Sequence, residues 1–183
     1  MGKLLSPECL QSLPAALSAS QVAELRDQSA QLTFSQAQIG TPFGSRTNAL
    51  ARDCDVAFLP PSHWIAGRTE EVLATLHLPI SVLSRRAQYS IYRPGGHYNW
   101  HRDGKGRCVD GIDRERRWAV VFQLSDGSEY IGGDLQFRIG GQNEYSVSGW
   151  RDSGTAIVFS SNLLHRVHRI QSGVRHSIVV WSH

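Results

Sequence analysis

Residues 92–103 read YRPGGHYNWHRD, and this stretch decides the interpretation of the fold. His101 and Asp103 lie two positions apart, so an extended strand or a strand end projects both side chains to the same face. An imidazole and a carboxylate on one face can chelate one metal ion. A second histidine from another strand would complete a set of two histidines and one carboxylate. That set leaves three coordination positions open and suits non-haem Fe(II) and dioxygen chemistry.

Alone, the His-x-Asp pair is more typical of a hydrogen-bonded pair in a solvated turn. The C-terminal region makes the metal-site interpretation stronger. Residues 159–170, FSSNLLHRVHRI, supply two candidate ligands, His165 and His168. On the strand expected to follow, Arg175 and Ser177 share a face. A guanidinium fork beside a hydroxyl is a good receptor for a carboxylate. An iron enzyme that uses a 2-oxo diacid needs such a receptor for the carboxylate far from the metal.

The chain from about Ala87 onward predicts a β-rich region, because short runs rich in Val, Ile, Tyr, Phe and Trp alternate with glycine and polar turns. Many short strands at close spacing predict a barrel, sandwich or jelly roll. The expected strands are 88–93, 117–124, 134–139, 144–147, 155–160, 164–170 and 175–181.

The first third of the chain predicts a helical layer that supports this β core. A first helix is expected over 18–30, because Ser18 and Gln21 fit a capping box. A second is expected from near Ser62 to Leu76, after Pro60-Pro61. Short strands are expected over 31–38 and 55–59.

The segment 104–116, GKGRCVDGIDRER, is polar and without periodicity, so it predicts a long loop and a candidate substrate lid. Six basic residues lie in or next to this loop. A solvated charged loop is the favoured interpretation, and contact with an acidic substrate is the alternative. These residues are Arg102, Lys105, Arg107, Arg114, Arg116 and Arg117.

Composition bounds the remaining possibilities. The 183 residues, 40% hydrophobic and 19% charged, predict one globular domain and exclude a disordered, collagen-like or coiled-coil chain. No apolar run approaches the length of a membrane span. Three widely spaced cysteines and an N-terminus without an apolar signal region favour a cytoplasmic protein. A net charge of +3 without a concentrated basic patch gives little support for nucleic-acid binding.

Three motifs in order resemble those of the Fe(II)/2-oxoglutarate-dependent dioxygenases, and within them the prolyl-4-hydroxylase-like branch. The resemblance covers about residues 87–181. It includes Gly-x-Tyr-x-x-His-x-Asp at 96–103, Leu-Ser-Asp…Tyr-x-Gly-Gly-Asp-Leu at 124–135, and Phe-Ser-Ser…Leu-His-x-Val…Gly-x-Arg-x-Ser at 159–177. It implies a mainly β protein of a single domain, 1–183. A double-stranded β-helix core of the jelly-roll, cupin-like type would span 87–183, with a mixed helical and strand support region over 1–86.

The resemblance also implies a site. His101, Asp103 and a distal histidine would bind Fe(II), while Arg175, with Ser177, would bind the far carboxylate of 2-oxoglutarate. Tyr92 and Tyr98 occupy positions where this branch places tyrosines of the cosubstrate pocket.

The distal ligand is either His165 or His168. His165 is favoured because it occupies the Leu-His-x-Val position of the family pattern and follows directly from the expected strand before it. It also precedes Arg175 by ten residues, a separation similar to that in related enzymes. His168 would face the opposite side of a regular strand.

The other histidines and one tryptophan receive plainer interpretations. His97, inside a Pro-Gly-Gly turn, is expected beside the ligands or at the pocket rim. Trp100 is expected to pack in the core rather than to line a substrate pocket. Surface or structural roles are expected for His63, His77, His176 and His183.

The implied activity is hydroxylation of a C–H bond in a peptidyl residue, proline first, or in an amino-acid-like substrate. It would consume dioxygen and 2-oxoglutarate and release succinate and CO2. Two alternatives stay open, a nucleic-acid demethylase of the same fold and an inactive β-barrel binding module. The repair group places an Arg-rich motif further beyond the distal histidine, whereas only eight residues follow Arg175 here. The complete ligand set argues against an inactive barrel. The expected partners are therefore peptides or amino-acid-like molecules, with neither nucleic acid nor membrane.

Overall fold

A computed structural model describes residues 9–41, 44–79, 82–84, 86–108, 111–139, 143–145 and 148–183. Besides two short 3-10 helices at Gly127–Glu129 and Ser148–Arg151, its regular structure consists of two α-helices and eighteen short strands. In chain order they are β1 (Leu10–Leu13), α1 (Ala19–Ser29), β2 (Ser35–Gln36), β3 (Gln38–Thr41), β4 (Gly44–Thr47), β5 (Arg52–Asp53), β6 (Asp55–Leu59), α2 (Ile65–Thr75), β7 (Ala87–Tyr92), β8 (His97–His101), β9 (Lys105–Arg107), β10 (Asp113–Glu115), β11 (Trp118–Gln123), β12 (Tyr130–Gly132), β13 (Leu135–Ile139), β14 (Asn143–Tyr145), β15 (Ala156–Ser160), β16 (Leu164–Val167), β17 (Ile170–Gly173) and β18 (Arg175–Ser182).

Two antiparallel sheets form the core of the molecule. The larger has the strand order β1-β15-β11-β18-β7-β6-β2, and the smaller has the order β14-β13-β16-β8-β5. Side chains from both pack in one cluster, in which the rings of Phe137 on β13 and Phe159 on β15 are 4.8 Å apart. Two-stranded ladders join β3 to β4, β9 to β10 and β12 to β17. The predicted double-stranded β-helix is thereby confirmed.

The central strands of the larger sheet are mostly apolar because both of their faces are buried. On β11, Val120 and Phe122 belong to the cluster that packs under the two helices. The alternate residues Ala119 and Val121 belong to the cluster between the sheets. This two-sided burial explains why β11, β15 and β18 lie within a residue or so of their predicted bounds.

The two helices cover the outer face of the larger sheet. The Ser18–Gln21 capping box is present and begins α1, as predicted. The second helix begins at Ile65 rather than near Ser62, because 61–64 form a turn in which the Nδ1 atom of His63 accepts a hydrogen bond from the Ile65 amide. Neither helix of the described part of the chain has the length and apolar character that a membrane crossing requires.

Two other predictions need correction. The single strand expected over 164–170 is two strands in different ladders, because after β16 the His168 amide turns to donate to the carbonyl of Asp134. The segment 104–116, expected as a loop, contains the β9–β10 ladder, whose polar strands show no apolar alternation. The end of the strand expected over 144–147 lies outside the described residues.

His176, which lies outside the space between the two sheets, provides a test of stability at acidic pH. The Nδ1 atom of His176, on β18, lies 2.9 Å from the hydroxyl of Tyr89. Burial, aided by the charge of Arg26, lowers the pKa of His176 from 6.5 to about 4. Because the unfolded chain takes up this proton at higher pH than the folded one, the stability contributed by neutral His176 is complete above pH 6.5 and is lost as the pH falls to about 4.

Between about pH 7 and about pH 4, the unfolding free energy of the wild type should therefore fall by about 1–2 kcal/mol more than that of His176→Gln. Urea titrations across this pH range measure the difference. The unscreened limit is about 3 kcal/mol, and partial exposure of the ring reduces it. His77→Asn is a matched control, because His77 is exposed on a left-handed backbone position that Asn tolerates. Parallel curves for the wild type and His176→Gln would contradict the assignment.

Candidate active site

A cavity of about 700 Å³ lies between the two sheets and opens to the surface beside β8 and β9. Four alternate residues of β18, namely Arg175, Ser177, Val179 and Trp181, line one wall. His101, Asp103 and His165 also line this cavity. The cavity therefore brings together the two groups of residues that the sequence motifs single out.

Three metal-ligand types converge in this cavity. His101 on β8 and His165 on β16 are direct partners across the ladder, and Asp103 follows the end of β8 with its amide bonded to the carbonyl of Ser161. One ligand atom from each of the three lies within 4.8 Å of the others. The Asp103 carboxylate is 3.8 Å from Nε2 of His101 and 3.9 Å from Nε2 of His165. His168 is not part of this group.

Hydrogen bonds fix the tautomer of both imidazoles. The Nδ1 atoms of His101 and His165 each lie 2.8 Å from a backbone carbonyl, of Asn99 and Leu163 respectively. A carbonyl only accepts, so Nδ1 carries the proton and each Nε2 presents a lone pair. Burial lowers the pKa of both histidines, which keeps them neutral. Two lone pairs and a carboxylate thus face one point with no proton donor among them, and this donor set fits Fe(II).

Aromatic side chains hold two of these three ligands in place. The ring of Tyr98 stacks on His101 at 3.5 Å and an interplanar angle of 15°. The indole Nε1 of Trp181 donates to Oδ2 of Asp103 at 2.8 Å. Such contacts orient metal ligands and raise their affinity for the metal.

A buried guanidinium lies deeper in the cavity. Arg175 is 1% exposed and donates to the Oγ atom of Ser177 at 3.3 Å and to the side-chain oxygen of Gln123 at 3.0 Å. Its Nε atom is buried without a hydrogen-bond partner, and no carboxylate among the described residues lies within ion-pairing distance. A buried, unpaired cation requires an anion. The far carboxylate of 2-oxoglutarate fits this requirement.

The two predicted tyrosines occupy different parts of the cavity. Tyr92 is buried beside Arg175, whose Cζ atom lies 5.5 Å from the ring centroid, and burial raises the pKa of its hydroxyl. Tyr98 instead stacks on His101, and burial raises its pKa as well. Tyr92 is therefore placed beside Arg175, the candidate receptor for a carboxylate, whereas Tyr98 is placed beside the candidate metal ligands.

Some expectations for the remaining residues are wrong. His97 does not line the cavity, and its two ring nitrogens lie 3.1 and 3.2 Å from the carbonyls of Gly95 and Leu50. Trp100 is not a core residue. It lines the cavity edge with its ring 4.4 Å from the guanidinium of Arg138 and 4.6 Å from that of Arg166. The structural interpretation holds for His63, His176 and His183, which bond to other side chains.

Three side chains at the site escaped the sequence interpretation as functional residues, namely Trp181, Gln123 and Arg52, whereas Arg116 was included only in the alternative of contact with an acidic substrate. Trp181 carries a usable signal, because it continues the alternation of Arg175 and Ser177 along β18. Gln123 is a polar residue in an otherwise apolar run, which indicates a buried partner. No local pattern marks Arg52 or Arg116 as cavity residues.

Comparison with known proteins identifies a family for the C-terminal part. The sequence model described as the 2OG-Fe(II) oxygenase superfamily matches residues 87–183, which is just over half of the chain. Among curated proteins, none matches the sequence significantly.

Several solved structures share the fold. A prolyl-4-hydroxylase from Pseudomonas putida has a TM-score of 0.68 at 20% identity, covering 96% of this chain and 92% of that chain. A prolyl hydroxylase from Trichoplax adhaerens, in complex with a hypoxia inducible factor oxygen degradation domain peptide fragment, has a TM-score of 0.72 at 16% identity, covering 96% and 83%. A viral collagen prolyl hydroxylase from Paramecium Bursaria Chlorella virus, in a 2OG complex, has a TM-score of 0.66 at 18% identity, covering 94% of each. At these identities the likeness establishes the fold.

Proposed function

The chain belongs to the 2OG-Fe(II) oxygenase superfamily, and from this premise we propose that it hydroxylates a C–H bond of a peptidyl residue, proline first, or of an amino-acid-like substrate. In this proposal His101, Asp103 and His165 hold Fe(II). Arg175, with Ser177, receives the far carboxylate of 2-oxoglutarate. Succinate and CO2 are the co-products.

One observation carries the proposal. A single cavity contains a three-ligand set without a proton donor at one position and an unpaired, buried guanidinium at another. An inactive binding barrel would have no reason to keep both, since each is costly to bury alone. The peptide bound to the Trichoplax enzyme supports a peptide as the first substrate class to test.

The protein itself supplies orientation and shielding. When bound, Fe(II) and 2-oxoglutarate supply the activation of dioxygen. Arg175 binds one end of the cosubstrate and so sets the direction of the other end. Tyr98 and Trp181 restrict the His101 ring and the Asp103 carboxylate. Apolar side chains complete the wall and exclude water from the reacting groups. They are Val121, Leu135, Phe159, Val167 and Val179.

The test begins with anaerobic addition of Fe(II) and 2-oxoglutarate, watching for the weak visible charge-transfer band of the chelate. Admission of air with a proline-containing peptide library should then yield succinate and peptides heavier by one oxygen atom. A wild-type protein that binds no iron and gives no band would favour the inactive barrel. Demethylation of a methylated oligonucleotide with no oxidation of peptides or amino acids would favour the nucleic-acid alternative.

A further inference from the structure

The cavity carries more positive than negative charge. Among the described residues that line it, the formally charged side chains are five cations and one carboxylate, Asp103. The cations are Arg52, Arg102, Lys105, Arg116 and Arg175. An excess of this kind inside a partly closed space attracts anions and concentrates them there.

The proposed cofactors leave this excess in place. Fe(II) bound to Asp103 carries one net positive charge and Arg175 carries another, and the two negative charges of 2-oxoglutarate balance them. Lys105 lies 3.7 Å from Glu115, and Arg102 is exposed at the mouth, where its Nε atom donates to the carbonyl of Asn162. The cations without an assigned anion inside the cavity are therefore Arg52 and Arg116.

Each of these two guanidinium groups is separated by one aromatic ring from a candidate metal ligand. The Cζ atom of Arg52 is 4.5 Å from the centroid of Tyr98, which stacks on His101. The Cζ atom of Arg116 is 3.8 Å from the ring of Trp181, which donates to Asp103.

Neither guanidinium forms an ion pair with a carboxylate in the part of the chain that the structure describes. Within that part, no carboxylate lies within 4 Å of either group. Arg52 is 8% exposed, and its guanidinium donates only to neutral groups, from Nε to the sulfur of Cys54, a weak acceptor, and from Nη1 to the carbonyl of Gln38 at 3.4 Å. The Nε atom of Arg116 is buried without a hydrogen-bond partner. Burying unpaired charge is costly, so an anion that pairs with these groups would recover stability.

We infer that the substrate is anionic, and that a carboxylate close to the hydroxylated carbon pairs with Arg116 and Arg52. This inference rests on the proposed function and names the class of substrate for it. An acidic side chain next to the target residue of a peptide supplies this carboxylate, and so does the α-carboxylate of a free amino acid. The phosphates of a nucleic acid fit less well, because the two cations lie inside the cavity rather than in a row along a groove.

Matched substrate pairs test the inference and distinguish the two sources. One arm uses capped proline pentapeptides that carry Asp or Glu beside the proline, each paired with its Asn or Gln counterpart. The other arm compares free L-proline with L-prolinamide. In the arm that matches the true substrate class, the kcat/KM of the acid should exceed that of the amide at least tenfold. Product formation is followed by mass spectrometry. The preference should decrease as salt is added, because screening weakens the attraction.

Variants connect the preference to one residue. Arg116→Gln should reduce the acid-over-amide ratio to about twofold or less, and Arg116→Glu should favour a lysine beside the proline. Both should keep the anaerobic charge-transfer band, so that loss of preference is separated from loss of the cofactor site. Arg68→Gln, on α2 and outside the cavity, is the control and should retain the wild-type ratio.

The outcomes separate failure of the inference from failure of the proposed function. Equal turnover of acids and amides, with the band intact, overturns the anionic substrate while the hydroxylase stands. Oxidation of a methylated oligonucleotide alone overturns both. Fluorescence titration of the same peptide and amino-acid pairs into the metal-free protein gives a measurement that needs no turnover. Equal affinity for acid and amide in both arms there also overturns the inference.

Discussion

His165→Ala is expected to lower the affinity for Fe(II) by more than about 100-fold, whereas His168→Ala is expected to leave it within about twofold of the wild type. The expectation follows from position, because the Nε2 atom of His165 lies 3.9 Å from the carboxylate of Asp103 and presents a lone pair. Loss of a contact beside a ligand typically costs 10–100-fold in metal affinity, and loss of the ligand itself should cost more. Competition with a chromophoric chelator under anaerobic conditions measures the affinity.

The experiment on His165 must separate the loss of a metal ligand from a packing defect. The ring of His165 contacts Phe159, with centroids 4.6 Å apart, so alanine also leaves a cavity. His165→Gln fills most of that space and should lose metal affinity as well, while its melting temperature without metal stays closer to that of the wild type. If His168→Ala rather than His165→Ala abolished binding, the assignment of the distal ligand would be wrong.

Prediction from sequence succeeded where the information is local or where both faces of a strand are buried. The spacing of His101 and Asp103 places two candidate ligands on one face without reference to the rest of the fold. The apolar runs of β11, β15 and β18 predict central strands because helices cover one side and the smaller sheet covers the other. The motif order then restricted the fold to one family.

Prediction failed where structure depends on distant partners. β1 and β5 are four and two residues long and exist because they pair with β15 and β8, so no alternation marks them. The bond between Trp181 and Asp103 joins residues 78 positions apart. Arg116 lies in a segment whose charge is typical of a solvated loop, yet its guanidinium packs on an indole ring. Composition reports how polar a segment is, whereas the fold decides which of its side chains turn inward.

Replacing Arg175 by methionine is expected to raise the KM for 2-oxoglutarate between about tenfold and a hundredfold, with little change in affinity for Fe(II). A hydrogen bond to a charged group contributes about 1.5–3 kcal/mol, and methionine removes the cation while retaining much of the buried volume. The Ser177 hydroxyl accepts from Arg175 at 3.3 Å, so it supports the receptor indirectly. Ser177→Ala should therefore raise the KM by less than about tenfold.

A comparison of two cosubstrates isolates the role of the guanidinium from any general damage to the cavity. 2-Oxopentanoate has the 2-oxo acid end of 2-oxoglutarate but lacks the far carboxylate, so the wild type should bind it much more weakly. Arg175→Met should bind 2-oxoglutarate and 2-oxopentanoate with similar affinity, because this variant lacks the cation proposed to pair with the far carboxylate. Anaerobic titration of the visible band measures both affinities in the same variant. If Arg175→Met kept the wild-type preference for 2-oxoglutarate, the carboxylate would have to bind elsewhere in the cavity, and Arg52 and Arg116, the two cations without an assigned anion there, would be the next groups to substitute.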